Sequence, residues 1–418
     1  MRVTAGKLLL CLAITSLIAA LSACGGGSSS SGGRTPTGTP ITINFAGGAP
    51  LAAAEQIGTG SWATAATSGG QLTFSIPTGT TTYAVAYVCP AWQGMSLVNQ
   101  QFIIEATTSD DTTYTVTCFQ NPTTGTATGI ASVSAIPGAT QLRIAGKSGY
   151  GTSVPSTFGS FSASLPLGSN DVAVVAQDSS FDALGVKIVR AQTVPGAVNG
   201  GSSISLLSSD ATTPQSIAVT NIPAGFNTTP AVDAEYLTSG GTSFSLMGNT
   251  NTTQYAVVPS TESASGDYYS FSANTADTGT SQSIYSFSTA TSAGPVSLAM
   301  PAPLTYAAPT PAALPTFTLN YSGFSGSTAV SDSVSIQWFV NSTLYETTVT
   351  ATSAYLNGAT TLTVPDLTSL AGFFPSAASG TNIYWLAYVY GGTYQWYEPT
   401  PTSGTLAAAQ NSGQFTEP

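Results

Sequence analysis

The stretch Gly70-Gln71-Leu72-Thr73-Phe74-Ser75-Ile76-Pro77-Thr78-Gly79 aligns without gaps on Gly159-Ser160-Phe161-Ser162-Ala163-Ser164-Leu165-Pro166-Leu167-Gly168. In both copies the apolar residues fall on alternate positions, the period of a strand with one buried face. Proline has no N–H to continue a ladder, so Pro-x-Gly ends the strand and turns the chain. A second apolar strand follows each turn, Tyr83-Ala84-Val85-Ala86 and Val172-Ala173-Val174-Val175. A later match sets Ile103-Ile104-Glu105-Ala106 beside Ile188-Val189-Arg190-Ala191. The sequence therefore holds a repeated β unit.

Outward from this repeat the pattern stays β. Long helical periodicity is absent, and 43 Gly and 25 Pro punctuate the chain at short intervals. These features predict an all-β protein of about four tandem β-sandwich domains. The expected domains are residues 40–119, 124–208 (the repeat of the first), 214–303 and 314–418. In the third, strands are expected at Ser216 to Thr220, Val232 to Leu237, Tyr255 to Val258 and Tyr268 to Ala273. A run containing Pro301, Pro303, Pro309, Pro311 and Pro315 forms a stiff boundary before the fourth. The repeated strand-turn-strand resembles carboxypeptidase-regulatory-like (transthyretin-like) domains. That resemblance implies seven-stranded sandwiches serving as spacers and docking modules, with no catalytic residue.

In the last domain Val334, Ile336, Trp338 and Val340 alternate toward a core, and Asn341-Ser342 reads as the turn into Leu344 to Val349. With its core Trp and a Tyr-containing late strand, this segment resembles an immunoglobulin/fibronectin type III-like sandwich, though without a cysteine pair. A Gly391-Gly392 turn is expected to fold Ile383 to Tyr390 onto Thr393 to Tyr397, pairing Val389 with Tyr394 and Ala387 with Trp396. Ile383, Trp385, Ala387, Val389, Tyr394 and Trp396 would then face the core. Tyr384, Tyr388, Tyr390 and Tyr397 would face outward as the candidate ligand surface, since aromatic rings with hydroxyl handles suit sugar rings or a partner protein. Coverage by the neighbouring domain is the plainer reading.

The N-terminus gives location. Arg2 and Lys7 precede an apolar run from Leu8 to Leu21, too short for a membrane span and read as a secretory signal over residues 1–23. Leu21-Ser22-Ala23-Cys24 resembles the lipobox of bacterial lipoproteins. The resemblance implies cleavage before Cys24, acylation of that cysteine and anchoring in a membrane by several chains. Residues 24–39, rich in Gly, Ser, Thr and Pro, read as a flexible linker. Gly25 after the cysteine implies outer-membrane sorting in a Gram-negative host, and otherwise the outer face of the cytoplasmic membrane.

Charge and missing residue types narrow the chemistry. Charged side chains make up only 6% of the chain, and Arg190 is its last basic residue. Residues 191–418 carry eleven acids, so no salt bridge can form within that half, and clustered cations for nucleic acid are lacking. The chain has no histidine, which removes Ser-His-Asp and Cys-His nucleophile systems and His-ligated metals. Lys147-Ser148 lies in a glycine-flanked loop and is a poor dyad. In an oxidising compartment Cys89 and Cys118 are expected to form a disulfide, closing about 30 residues and contributing roughly 3 to 4 kcal/mol. Asp110-Asp111, Asp178 with Asp182, and Asp233 with Glu235 are weak calcium candidates, none with EF-hand spacing, so no cofactor is expected. The expected function is a lipid-anchored, non-enzymatic envelope protein of structural, adhesive or display type. Glycan capture through the tyrosines is the alternative, and a carboxylate-dependent hydrolase a third. Expected partners are the membrane and a polysaccharide or envelope protein.

Overall fold

The alternation in the repeat is realised in a computed structural model, which describes residues 38–93, 96–118, 123–248, 253–277, 279, 281–304, 307–324, 329–397 and 400–418. The architecture is all-β. The first expected range holds β1 (Gly38–Ala46), β2 (Ala52–Ile57), β3 (Ala63–Thr64), β4 (Gln71–Pro77), β5 (Thr82–Gln93), β6 (Ser96–Thr107) and β7 (Thr113–Thr117). They form one layer in the order β4-β1-β7 and a second running β3-β2-β5-β6. The first strand of the repeat thus lies in one layer and the strand after the turn in the other. Gly79 and Gly168 make that crossover at the same left-handed φ of 93°, which favours glycine.

The second range repeats the order. It contains β8 (Thr124–Ser132), β9 (Gln141–Ala145), β10 (Gly151–Val154), β11 (Phe158–Pro166), β12 (Gly168–Gln177), β13 (Ala183–Val194), β14 (Gly196–Ala197) and β15 (Ile204–Ser205). Its layers are β11-β8-β14, with β15 also on β8, and β10-β9-β12-β13. The third range, in which no sequence repeat is legible, uses the same plan. Strands β16 (Thr213–Thr220), β17 (Ala231–Leu237), β18 (Ser243–Ser245), β19 (Gln254–Val257), β20 (Tyr268–Ala276), β21 (Gln282–Ala290) and β22 (Val296–Ala299) give β19-β16-β22 and β18-β17-β20-β21.

The last range departs from a constant-type immunoglobulin sandwich only in the placement of its fourth strand. Its strands are β23 (Ala307–Pro309), β24 (Thr316–Leu319), β25 (Ala329–Val340), β26 (Thr343–Thr352), β27 (Thr361–Thr363), β28 (Asn382–Gly392) and β29 (Gly404–Thr416), with a single helical turn α1 (Ser353–Leu356). The layers are β23-β24-β27 and β26-β25-β28-β29. A constant-type immunoglobulin sandwich places its third and fourth strands in different sheets. Here β25 and β26 pair along their length, joined by a turn in which Asn341 and Ser342 both have positive φ, as a two-residue hairpin requires.

Three of the four-stranded layers merge into one 12-stranded sheet. β6 pairs in parallel with β26, and β21 pairs antiparallel with β29. Period-2 alternation at the first seam decides the packing. Ile104 joins a core with Tyr83, Val85, Leu72 and Ile43, whereas its neighbour Ile103 joins one with Val334, Ile336 and Val349. The small layer of the first sandwich and that of the fourth therefore cover opposite faces of the same sheet.

The scarce cations sit where the second and third sandwiches meet. Arg190 donates to Asp171 at 3.0 Å and, bidentately, to Asp267 at 3.2 and 2.6 Å. Lys187 reaches Glu262 at 2.7 Å and Asp210 at 3.4 Å. All four carboxylates are buried. Acids after residue 190 thus find cations, but on β13 and not in their own half.

Candidate functional site

The expected aromatic hairpin does not form. β28 runs through Gly391 and Gly392 without turning and pairs with β29, so Val389 lies opposite Ala409 and Ala387 opposite Asn411. The pattern of Thr393 to Tyr397 imitated a returning strand, but the longer β29, Gly404–Thr416, takes the edge of β28. Residues 393–397 instead lie back over the sheet. Gln395 Nε2 donates to the Val330 carbonyl at 3.2 Å, and Thr393 N to the Thr405 carbonyl at 2.9 Å.

The four candidate tyrosines consequently separate. Tyr384 is exposed, Tyr388 half-buried and Tyr390 buried. Tyr388 stacks on Tyr390 with centroids 5.7 Å apart and planes at 16°, and Tyr390 stacks on Trp396 at 5.7 Å and 18°. Tyr397 meets Tyr114 of the first sandwich edge-on at 5.8 Å. Trp396, expected in the core, belongs to this outer cluster with Tyr285, Phe287 and Leu406. Burial pushes the Tyr388 phenol up to about 12 and holds Tyr390 well above its ordinary value, so both remain neutral hydrogen-bonding groups at physiological pH.

Beside this three-ring ladder is a cavity of about 330 Å³. Its lining is one face of the sheet: Tyr388 and Tyr390 on β28, Ser333 and Ser335 on β25, Glu346 and Thr348 on β26, and Gln100 and Phe102 on β6, with Trp396 stacked on Tyr390. Period-2 geometry assembles the polar strip between the aromatic residues: Ser333 and Ser335 alternate along β25, opposite Thr350 and Thr348 of β26, while Thr348 lies opposite Phe102 of β6. Glu346 is held from two sides, accepting from Ser335 Oγ at 2.9 Å and from Gln100 Nε2 at 2.7 Å. Burial raises its carboxyl pKa, and the hydrogen bond from Ser335 opposes that rise. No Lys or Arg lines the cavity. Among the described residues, the buried indole N–H of Trp396 has no acceptor.

Cys89 and Cys118 are bonded, joining β5 to the residue after β7 and so tying the two layers of the first sandwich. The weak calcium pairs are engaged locally. Asp178 Oδ1 accepts backbone N–H groups from Ser180 and Asp182, and Asp110 Oδ2 accepts from Thr107 and Thr352. Asp233 accepts from Ser245 at 3.4 Å, and burial followed by the Asp233 charge raises the Glu235 carboxyl. Among the described residues no three metal-ligating side chains of the His, Cys, Asp or Glu type gather. Ser148 docks its backbone N–H on Gly241 O at 2.9 Å in the loop expected for it. Cys24, the lipidation candidate, lies outside the described residues.

Two further carboxylates went unnoticed in the sequence. Glu105 and Asp332 flank Ala351 in one row across β6, β26 and β25, on the face opposite the cavity. Burial raises each to about 7. The cavity residues Gln100 and Glu346 were also missed, being 246 positions apart. Alternating Ser331, Ser333 and Ser335, with a lone Glu on a Thr-rich strand, was the available signal.

Neither a protein-family model nor a curated protein matches this chain. Among solved structures it is similar to the Bacillus anthracis TIE protein, at 12% identity and a TM-score of 0.15. That match covers 56% of this chain and 45% of the other, less than half its length. No residue role is carried over from it.

Proposed function

We propose that this protein is a lipid-anchored envelope scaffold of display or adhesive type, without enzymatic activity. The observation that carries the reading is the 12-stranded sheet running through three sandwiches. Hydrogen-bonded seams, in place of flexible linkers, join those units into one continuous element that follows a Gly/Ser tether in the sequence. The lipobox-like Leu21-Ser22-Ala23-Cys24 supports attachment at the envelope. The repeated three-plus-four strand plan supports kinship with transthyretin-like spacer modules.

Metabolic labelling with an alkyne fatty acid, followed by protease shaving of intact cells, tests the reading. Label incorporation lost in Cys24→Ala is expected. So is surface cleavage by chymotrypsin but no trypsin cut beyond Arg190, because no later Lys or Arg exists. An unlabelled protein recovered in the soluble fraction would overturn it. A second reading, glycan capture by the displayed unit, is favoured by the cavity whose lining sets aromatic rings beside hydroxyl-bearing side chains.

A further inference from the structure

We propose that the cavity over β6, β26, β25 and β28 is a binding site for a neutral saccharide, one or two rings of a hexose-type glycan. The proposal rests on the glycan-capture reading and gives it a place and a ligand class.

Three features carry it. The lining is of two kinds: a pyranose offers apolar C–H faces to aromatic rings and hydroxyl edges to polar groups, and the cavity sets Tyr388, Tyr390 and Trp396 beside Ser333, Ser335, Thr348 and Glu346. Its volume of about 330 Å³ lies at the small end of ligand sites, suited to a short stretch of glycan. Its polar side is built in advance. Glu346 is only 8% exposed and Gln100 7%; Gln100 and Ser335 each donate to Glu346, so the carboxylate is held in a fixed orientation before a ligand arrives.

The lining also sets the class. A buried carboxylate without a nearby cation disfavours uronates, sialic acids and phosphorylated sugars, whose charge would meet Glu346 unscreened. The site needs both the first sandwich, which supplies Gln100 and Phe102, and the fourth, which supplies the rest. The β6–β26 seam therefore has a functional consequence.

The test is calorimetric titration of the full chain, kept in a detergent without a sugar headgroup, with cellotetraose, chitotetraose, maltotetraose and the anionic tetragalacturonate. At least one neutral tetrasaccharide should saturate with a Kd between about 10 μM and 1 mM. Trp396→Ala should weaken it by about tenfold or more, and Tyr384→Ala, outside the cavity, should leave it within about twofold. Thr348→Phe fills the empty volume without removing a core contact, and covers the case in which Trp396→Ala loosens its loop. Melting curves report folding of each variant. Equal binding by the protein, Trp396→Ala and Thr348→Phe would overturn the cavity while leaving glycan capture intact. No neutral sugar bound by the unsubstituted protein would overturn both, and preference for tetragalacturonate would overturn the neutral class.

Discussion

At the scale of residues, burial and pairing drive carboxylates in opposite directions. Burial alone would raise Asp171 and Asp267, but backbone N–H groups of Ala191, Ser239 and Ala264, with the Arg190 guanidinium, outweigh it and hold both below the usual range. Their folded pKa values lie under the unfolded ones, so their stabilisation is present above about pH 4 and is lost as pH falls through the folded values. Arg190→Ala strands two buried carboxylates and should cost about 3 to 5 kcal/mol at pH 7 in urea unfolding. Glu105 behaves oppositely. It is 8% exposed and raised to about 7, so its protonated form suits the fold, and stability declines as pH rises from its unfolded pKa through 7. Glu105→Gln should therefore match the parent near pH 4 and exceed it by on the order of 2–3 kcal/mol at pH 8. Equal stability at both pH values would refute the burial argument.

At the scale of elements, the seam strands are the critical parts. Thr350 on β26 lies opposite Ile104 on β6 and opposite Ser333 on β25, so its backbone has strands on both sides. A proline there removes a ladder donor in the middle of a sheet. Thr350→Pro should destabilise by about 3 kcal/mol or more, and hydrogen exchange should show lost protection in β6 as well as β26. Protection lost in β26 alone would mean that the seam carries little energy. Elements also set the fate of the tyrosines. Whether Tyr388 and Tyr390 face solvent depends on where residues 393–397 go, and these lie over the sheet because β29 takes the edge of β28 along its full length.

At the scale of the whole molecule, shared sheet and shared core couple the first and fourth sandwiches. Ala54, Ala86 and Ile103 from the first lie in the same core as Val334 and Val349 from the fourth. Urea transitions followed by near-UV dichroism at the disulfide-bearing unit and by Trp338-weighted fluorescence should coincide in the parent and separate in Thr350→Pro. Separate transitions in the parent would make the sandwiches independent beads.

The sequence alone determined the local grammar. Strand positions, the Pro-x-Gly turns, the Asn341-Ser342 hairpin and the Cys89–Cys118 bond follow from period-2 alternation, turn stereochemistry and cysteine pairing, each readable within one sandwich. Tertiary structure alone decided which layer each strand joins, that sandwiches without a legible repeat share one strand order, and that three of them fuse edge to edge. Backbone hydrogen bonds between strands are blind to side chains, so pairing between Gln101 and Thr347 leaves no mark in either segment. The cavity is the product of that pairing. Gln100, Glu346 and Trp396 are ordinary residues apart, and become a polar and aromatic pocket only when β6 is laid beside β26.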